Sequence, residues 1–371
     1  MDTTTIIHED WEILCKYFPP GWQEKAKELG AVKRCRKIKS PATLLRVLLI
    51  HLAEGISFRS TAVYAQEAGL CEIKDSGLTY RLRQAKEWFH WITLGLLERL
   101  KTEHTPDTVF KKFTPRLVDS SIISEPGPTG SQWRLHYCFR LQNLHCDTFE
   151  ITSQKEGESF CRYSVAANDL MMGDRNFCKR KGIVHVLEHQ GHVLVRYHSL
   201  CLPLFNREGK ELSLLPYLRS LAADSVGDWD VWFKHPDKGN LIKGRILALR
   251  KSREAAEKEK KEILHDASKK QRKTRPDTLE YAEYTIVFTT ISRHYFSGEE
   301  LINMYRYRWQ IELVFKRLKS IIGIGHIPKS NPENGKAWLY GKMILALLTE
   351  LSYREAELFS PWGYPLIRGR S

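Results

Sequence analysis

The sequence changes its hydrophobic period close to residue 105, and this change limits what the chain can fold into. Upstream, apolar residues recur at helical spacing, as in SPATLLRVLLIHLAEG, where Ser40 suits the N-cap and Pro41 the first helical position. Downstream, segments such as QWRLHYCFRL alternate apolar and polar residues, which is typical of half-buried strands. The polar segment KTEHTPDT, at 101–108, separates the two parts. The sequence therefore predicts a helical N-terminal domain followed by an α/β domain.

The downstream part predicts a mixed sheet. Its first three strands are expected in RLVDSSIIS, QWRLHYCFRL and LHCDTFEIT, with a turn at Gln142-Asn143 between the last two. The segment ESFCRYSVAAND is expected to be helical, and LMMGDRNF to end a strand that carries Asp174 into a loop. Acidic residues at the ends of such strands can converge, so we expect Asp119 and Asp174 to be neighbours. Taken singly, each aspartate could instead be a turn or cap residue.

The region between Asp174 and residue 290 predicts further strands around a charged segment. VHVLEHQGHVLVRYH is expected to form a hairpin around Gln190-Gly191, and DWDVWFKH and YAEYTIVFTTI to form strands. Between the last two, the run from Arg250 to Arg275 contains 11 basic and 5 acidic residues. Its mixed charges indicate a solvated helix or arm, and the alternative is an arm that contacts phosphates.

Charge and composition narrow the class of protein. The 58 Lys and Arg residues exceed the 44 Asp and Glu residues, giving a net charge of +14 that favours a polyanionic partner. No apolar run reaches the roughly 18 residues of a membrane span, and the first residues do not resemble a signal peptide. The eight cysteines are scattered without a CxxC pair, which is typical of reduced thiols. A protein of the cytoplasm without membrane contact is expected.

Two local patterns suggest binding sites, each with an alternative. The helices expected in SFRSTAVYAQEAGL and SGLTYRLRQAKEWFHWITLGLLERL are compatible with a helix-turn-helix, although many helical hairpins bind nothing. The second of them would present to DNA a polar face made of Thr79, Tyr80, Arg81, Arg83 and Lys86. A second group could be proposed as a zinc site, but its alternating pattern favours strand packing: His136, Cys138, His145 and Cys146.

The segment YRYRWQIELVFKRLK, at 305–319, carries the most specific pattern of the chain. On a single helix, its polar residues Tyr305, Arg308, Glu312 and Lys319 would lie on nearly the same side, flanked by Phe315 and Lys316. The opposite side would present an apolar stripe that docks on a core, made of Ile311, Val314, Leu318, Ile321 and Ile322. The alternative is a solvated amphipathic helix in which Glu312 pairs with Arg308 and Lys316.

This pattern, Y-x2-R-x3-E-x6-K, resembles the signature of DDE transposases of the insertion sequence 4 family. The VDSS around Asp119, the GDRNF around Asp174 and the helix with Glu312 occur in the order of that family. The resemblance covers about residues 110–330, with weaker similarity in the helical N-terminal region. One difference is Asn176, where the family commonly has glycine; asparagine can also adopt the left-handed backbone that this suggests. The short segment after residue 360 leaves little of the C-terminal region that the family often uses to dimerise.

The resemblance implies an α/β fold with a ribonuclease H-like mixed-sheet catalytic core, interrupted by a β-rich insertion and preceded by a helical DNA-binding domain. The implied parts are the N-terminal domain at 1–105, the core at 106–185 and 286–330, the insertion with a charged helix at 186–285, and a helical C-terminal region at 331–371. Asp119, Asp174 and Glu312 would hold two divalent ions, Mg²⁺ or Mn²⁺, since hard cations prefer carboxylate oxygens.

The resemblance also implies the substrate. The enzyme would cleave the terminal inverted repeats of an insertion sequence and join the 3′-hydroxyl to target DNA, by a cut-and-paste route in a bacterial, nucleoid-associated homodimer. Tyr305, Arg308 and Lys319, with Lys316 beside them, would contact phosphates, and Trp309 would stack on a displaced base or else be buried in the core. Two alternatives stay open: a metal-dependent nuclease without strand transfer, and a non-catalytic DNA-binding remnant of a transposase.

Overall fold

A mixed eight-stranded sheet and a set of helices form the architecture of this computed structural model. The structure describes residues 11–32, 37–100, 110, 112–125, 132–141, 145–222, 225–271, 273–320, 323–324, 327 and 332–358. The helices before the sheet are α1 Trp22–Glu28, α2 Pro41–Glu54, α3 Phe58–Glu67, α4 Asp75–Gln84 and α5 Lys86–Leu100. The strands are β1 Thr114–Ser124, β2 Gln132–Arg140, β3 His145–Ser153, β4 Asp169–Gly173, β5 His192–Arg196, β6 Val226–Lys234, β7 Leu241–Arg250 and β8 Tyr284–Thr289. The later helices are α6 Arg180–Glu188, α7 Leu215–Arg219, α8 Arg253–Lys269, α9 Pro276–Tyr281, α10 Gly298–Arg306, α11 Trp309–Ser320 and α12 Pro332–Leu358.

The sheet has the strand order β3-β2-β1-β4-β5-β8-β7-β6. Strands β1, β4 and β5 run parallel to one another, and the other neighbours are antiparallel. Successive residues of β1 enter opposite cores: Leu117 joins the core shared with the helices of the N-terminal region, and Val118 joins the core under α6 and α7. The central strands are therefore buried on both faces, as is usual for parallel strands.

The N-terminal helices share their core with the sheet. Ser40 begins α2 as predicted, because its Oγ accepts a hydrogen bond from the backbone N–H of Thr43 at 3.1 Å and Pro41 follows. The long helix α12 packs against α2, α4 and α5, and α5 also packs against β3. A single apolar cluster runs from these helices to strands β1, β2 and β3.

The segment before β5 was predicted incorrectly. The hairpin expected around Gln190-Gly191 is wrong, because α6 occupies Arg180–Glu188 and only the second arm, β5, is a strand. The apolar residues Ile183, Val184, Val186 and Leu187 fit helical spacing, and the β-branched valines favour a strand only by propensity. The helix expected in ESFCRYSVAAND is also wrong, since that segment contains only the short 3₁₀ turn Phe160–Arg162.

Other strand predictions are confirmed, with one omission. Strands occur in RLVDSSIIS, QWRLHYCFRL and LHCDTFEIT, in LMMG, and in DWDVWFKH and YTIVFT. The omitted strand is β7, LIKGRILALR, which pairs with both β6 and β8. Its Gly244 lies under the ring of Phe288, where a Cβ atom would come within 2.4 Å of that ring. Glycine leaves room for this ring. Because glycine is uncommon inside strands, it weakens the alternating pattern from which β7 could have been predicted.

The segment 305–319 is not one helix. Helix α10 ends at Arg306 and α11 begins at Trp309, with hydrogen bonds of the 3₁₀ type from Tyr307 N–H to the Met304 carbonyl and from Arg308 N–H to the Tyr305 carbonyl. Asn176 is a further correction, since it lies in the 3₁₀ turn Arg175–Phe177 and does not have a positive φ. The charged run is an exposed helix, α8, in which Ala256 is buried.

Several predictions fall on parts of the chain that the structure does not describe. These are the turn at Gln142-Asn143, the boundary at 101–108, the side chain of His145, and the apolar positions Ile321 and Ile322. In the described part, His136 Nε2 lies 2.9 Å from Thr152 Oγ1, and Cys138 and Cys146 are buried. Among the described helices, none is both long and apolar enough to span a membrane.

Candidate active site

Asp119 lies within β1, and Asp174 lies directly after the parallel neighbour β4. The pairing of Leu117 with Met172 brings the residues that follow on each strand side by side. Asp174 comes directly after β4 and caps the 3₁₀ turn Arg175–Phe177, where its Oδ1 accepts a hydrogen bond from the Asn176 N–H at 2.8 Å. Gly173 allows this sharp turn, because a Cβ atom there would come within 2.9 Å of Phe177. The orientation of Asp174 is thus fixed by its own turn.

The two aspartates are unfavourable as a charged pair. Burial raises the pKa of Asp119 to about 7; the N–H of Ser120, which donates to Oδ1 at 2.7 Å, opposes this rise, and the charge of Asp174 adds to it. Burial also raises the pKa of Asp174, and the charge of Glu158 adds to that rise. A cation bound between the carboxylates would remove this repulsion.

Glu312 faces the same cleft as Asp119. A cleft of about 540 Å³, called here the Asp119 cleft, is lined by Asp119, Ser120, Ser121, Glu312, Phe315, Lys316 and Lys319. The Glu312 side chain is 56% exposed, and its Oε1 accepts a hydrogen bond from Arg308 at 2.5 Å. The positive charge of Arg308 also opposes the rise in the pKa values of Asp119 and Asp174. Arg308 therefore interacts with all three predicted acids. Its pair with Glu312, four residues apart, is the one expected for a solvated amphipathic helix.

The three carboxylates are of the right chemical type to bind a hard divalent ion, but their present positions do not bring them together around one. All three predicted ligands offer oxygen atoms, which Mg²⁺ and Mn²⁺ prefer, and burial first, with nearby acids second, raises the pKa values of Asp119 and Asp174. In the described part of the chain, no three His, Cys, Asp or Glu side chains are grouped closely enough to hold a metal ion. The hydrogen bond between Glu312 and Arg308 gives a physical reason, since it engages the third acid. The residue types fit the ion, and Glu312 would have to exchange this partner for it.

The predicted DNA contacts around the cleft differ in exposure. Trp309 is 48% exposed, so burial in the core does not apply to it, and Lys316 and Lys319 are exposed along the cleft. Tyr305 is different, because it is buried and its hydroxyl donates to the Gly173 carbonyl at 3.1 Å. Tyr305 is therefore not on the exposed polar face that a single helix would have created.

The predicted DNA-reading helix α4 packs against α3. Tyr80 is exposed, and the guanidinium of Arg83 lies 5.5 Å from the centre of its ring. Arg81 instead donates to the Ala31 carbonyl at 3.2 Å, while Lys86 donates to Glu333 at 2.6 Å. The arginine at 83 is thus presented at the surface, whereas Arg81 and Lys86 have contacts within the protein.

Two residues near Asp119 were missed by the sequence reasoning. Glu158 is buried and accepts a hydrogen bond from Ser120 Oγ at 2.6 Å, and Arg134 donates to the same Oγ at 3.1 Å. The only available signal was the acidic GES before the turn at Phe160, and the incorrect helix expected there concealed it. Tyr307 was also missed, although it is 46% exposed next to Arg308.

A second cleft of about 890 Å³ lies beside Asp174. Its wall includes Arg175, the next residue, and Arg196 at the end of β5. Both arginines are close to Glu259 of α8, at 3.7 Å and 2.5 Å respectively, and Lys251 also donates to this carboxylate. The charged helix is in this way attached next to the second aspartate.

The chain is similar to known proteins over most of its length. Residues 116–348 match the family described as Transposase DDE domain. The InsL protein of insertion sequence element IS186A from Escherichia coli strain K12 is 30% identical over 349 residues, which cover 92% of this chain and 94% of the relative. The transposase for insertion sequence element IS421 from Escherichia coli is 29% identical over 350 residues, with the same coverage. A more distant relative, the transposase for element IS231B from Bacillus thuringiensis, is 21% identical over 369 residues, or 90% of this chain and 77% of the relative.

Proposed function

Because the chain belongs to the DDE transposase family, we propose that it binds the terminal inverted repeats of an insertion sequence, cleaves at its ends and joins the 3′-hydroxyl to target DNA. One observation supports the residue assignment: Asp119 of β1 and Asp174 after β4 follow the paired residues Leu117 and Met172 by two positions each, and Asp119 shares a cleft with Glu312. We assign these three acids as the catalytic and metal-binding residues of a ribonuclease H-like core. The route is of the cut-and-paste type related to the insertion sequence 4 family.

Transposases with this domain generally use divalent ions. We propose two, Mg²⁺ or Mn²⁺, held by Asp119, Asp174 and Glu312. When bound, such ions activate the attacking water or 3′-hydroxyl and stabilise the leaving oxygen at phosphorus. The protein contributes the orientation of the acids, through the Ser120 N–H at Asp119 and the Asn176 N–H at Asp174. Arg308 balances the charge of Glu312 until the ions and the DNA are bound.

The DNA lies, in this proposal, along the exposed side of α11. Lys316 and Lys319 line the Asp119 cleft and would contact the phosphates next to the cleaved bond, and Arg308 can do so through its fork of N–H groups. Trp309 projects from the start of α11, where an exposed indole can stack on a displaced base. Arg81 and Arg83 belong to the proposed N-terminal DNA-binding domain, and of these Arg83 has the more exposed position.

For Tyr305 we propose a positioning role instead of a phosphate contact. Burial raises the pKa of Tyr305 to about 12, so its hydroxyl remains a donor at neutral pH. This hydroxyl donates to the carbonyl of Gly173, immediately before Asp174. The bond ties the end of α10 to the end of β4. Tyr305 would thereby set the position of Asp174 relative to α11, which carries Glu312.

The proposal also covers the oligomeric state of the protein and its location in the cell. A homodimer would allow two transposon ends to be held together, and a bacterial, nucleoid-associated cytoplasmic location would follow from action on chromosomal DNA. The net charge of +14 supports association with DNA. The divisions at 1–105, 106–185, 186–285, 286–330 and 331–371 remain our proposed domains.

The substitution Glu312→Gln tests the assignment. It keeps the size of the side chain and removes the charge, so cleavage of linear DNA with the inverted repeats should be lost while end binding in a gel-shift assay is retained. Cleavage by Glu312→Gln at the normal rate would remove Glu312 from the metal site. Cutting without regard to the transposon boundary would instead favour a general nuclease, and boundary-specific binding without cutting would favour a non-catalytic remnant.

A further inference from the structure

A chain of hydrogen bonds connects Asp119 to a fourth carboxylate. The backbone N–H of Ser120 donates to Asp119 Oδ1 at 2.7 Å, and the hydroxyl of the same serine donates to Glu158 Oε1 at 2.6 Å. Ser120 therefore contacts an acid through each of its two donors. Its backbone is part of the strand β1, and its side chain is held by the hydrogen bond to Glu158.

Glu158 is fixed from several directions. Its side chain is 9% exposed, and Arg134 of β2 lies 3.6 Å from the carboxylate while also donating to Ser120 Oγ at 3.1 Å. Its backbone carbonyl accepts a hydrogen bond from Lys179 at 2.8 Å, in the segment that follows the turn of Asp174. Glu158 thus connects β1 and β2 with the chain that leaves Asp174.

The carboxylate of Glu158 lies close to the proposed metal ligands. It accepts a hydrogen bond from Ser120, the residue that follows Asp119, and its backbone is joined by Lys179 to the segment after Asp174. Arg134 compensates its charge only in part, because the closest approach of that ion pair is longer than an ordinary hydrogen bond. A negative charge is therefore held near the position at which a cation would bind.

We propose that Glu158 is a positioning residue for the metal centre: through Ser120 it fixes the carboxylate of Asp119, and its charge strengthens the attraction of the site for divalent cations. The inference rests on the proposed function, since it concerns the same acids. Residues that hydrogen-bond to metal ligands typically change metal affinity or activity by about 10- to 100-fold when they are altered. Glu158 acts here through Ser120 and need not touch the ion.

The test measures Mn²⁺ binding to the full, DNA-free chain by electron paramagnetic resonance titration, together with thermal unfolding in EDTA. Glu158→Gln keeps an acceptor for Ser120 and removes the charge, and we expect about tenfold weaker Mn²⁺ binding with a similar unfolding temperature. Ser120→Ala breaks the link while keeping both acids, and should weaken binding in the same direction; it also serves if Glu158→Gln folds poorly. Glu188→Gln, an exposed acid of α6, is the matched control and should bind Mn²⁺ as the unchanged protein does.

The outcomes separate this inference from the proposed function. Unchanged Mn²⁺ affinity in both Glu158→Gln and Ser120→Ala would overturn the positioning role and leave the three acids in place. No Mn²⁺ binding by the unchanged protein, or binding unaffected by Asp119→Ala, would overturn the metal centre itself and the inference with it. Weaker binding in Glu158→Gln and Ser120→Ala, but not in Glu188→Gln, supports the proposal.

Discussion

At the scale of single residues, Tyr305 and Lys319 share one sequence motif but occupy different environments. Tyr305 is buried and donates to the Gly173 carbonyl, whereas Lys319 is exposed along the Asp119 cleft. The motif therefore combines a residue directed into the protein with one that lines the Asp119 cleft. Spacing alone could not separate these roles, because the break between α10 and α11 changes the direction of Tyr305.

The substitution Tyr305→Phe tests this separation. It removes the hydroxyl and keeps the ring, so Asp174 loses one support, and we expect the cleavage rate to fall by about tenfold, in the range typical of residues that support metal ligands. The slope of log end-binding affinity against log salt should remain unchanged, because no phosphate contact is removed. Single-turnover cleavage and binding at several salt concentrations provide the two measurements.

Lys319→Ala is the matched variant for the opposite behaviour. The loss of one phosphate contact should reduce the salt slope by about one, while Tyr305→Phe leaves it intact. If Tyr305→Phe reduced the slope in the same way, the hydroxyl would be a phosphate ligand and its positioning role would be wrong.

Asp119 provides a prediction on pH and stability. Its pKa is raised from 3.8 to about 7 in the folded protein, so the fold prefers the protonated form; the related stability is complete below about pH 4 and is lost as the pH rises through about 7. In EDTA at pH 8, Asp119→Asn should therefore raise the free energy of unfolding by about 1–3 kcal/mol, a value reduced for partial solvent screening. At pH 4 the advantage should vanish. Thermal unfolding at both pH values measures it, and equal stability of the two proteins at pH 8 would contradict the raised pKa.

At the scale of elements, the strands of the sheet were predicted well where one face alternates, as in β1, β2 and β3. The errors arose where tertiary packing decides. The sequence of α6 resembles that of a strand because it contains valines. The sequence of β7 is hard to recognise as a strand because it contains Gly244, which leaves room for the Phe288 ring. The neighbouring positions of Asp119 and Asp174 followed from strand order. The support from Glu158 did not, since it depends on the path of a loop.

The attachment of helix α8 to the sheet through Glu259 can be tested. Glu259 attaches it to Arg196 and Arg175, and hydrogen bonds to charged groups contribute about 1.5–3 kcal/mol when partly buried. Glu259→Ala should therefore increase amide hydrogen exchange in α8 by about tenfold or more. Glu262→Ala, at an exposed position of the same helix, is the control and should leave exchange unchanged. Equal protection of α8 in both variants would show that its apolar contacts alone hold it.

At the scale of the whole molecule, helices from both ends of the chain and one face of the sheet share a core. Helix α12 approaches α2 and α5 closely at Gly341, where a Cβ atom would come within 2.3 Å of Leu52 and 3.0 Å of Phe89. A period change in the sequence predicts two types of structure, but not that they pack on one apolar cluster. The surfaces that join distant parts of the chain have no local signal.

Gly341→Val tests the shared core. Overpacking at this contact should lower the free energy of unfolding by about 1–3 kcal/mol, and one unfolding transition should shift for helix and sheet probes alike. Far-ultraviolet circular dichroism and tryptophan fluorescence during denaturant unfolding would record both. Thr349→Val, at an exposed position of the same helix, is the control. Separate transitions, with only one moved by Gly341→Val, would show that the helices and the sheet unfold independently.

Strand cleavage at a transposon boundary would show whether Asp119, Asp174 and Glu312 form the metal-dependent site of a transposase. Purified protein would be incubated with linear DNA that carries the flanking inverted repeats, in Mg²⁺ or in EDTA, and the strands separated on denaturing gels. We expect a nick at the boundary in Mg²⁺ that is absent in EDTA and in Asp119→Ala. A boundary nick that persists in EDTA or in Asp119→Ala would contradict it.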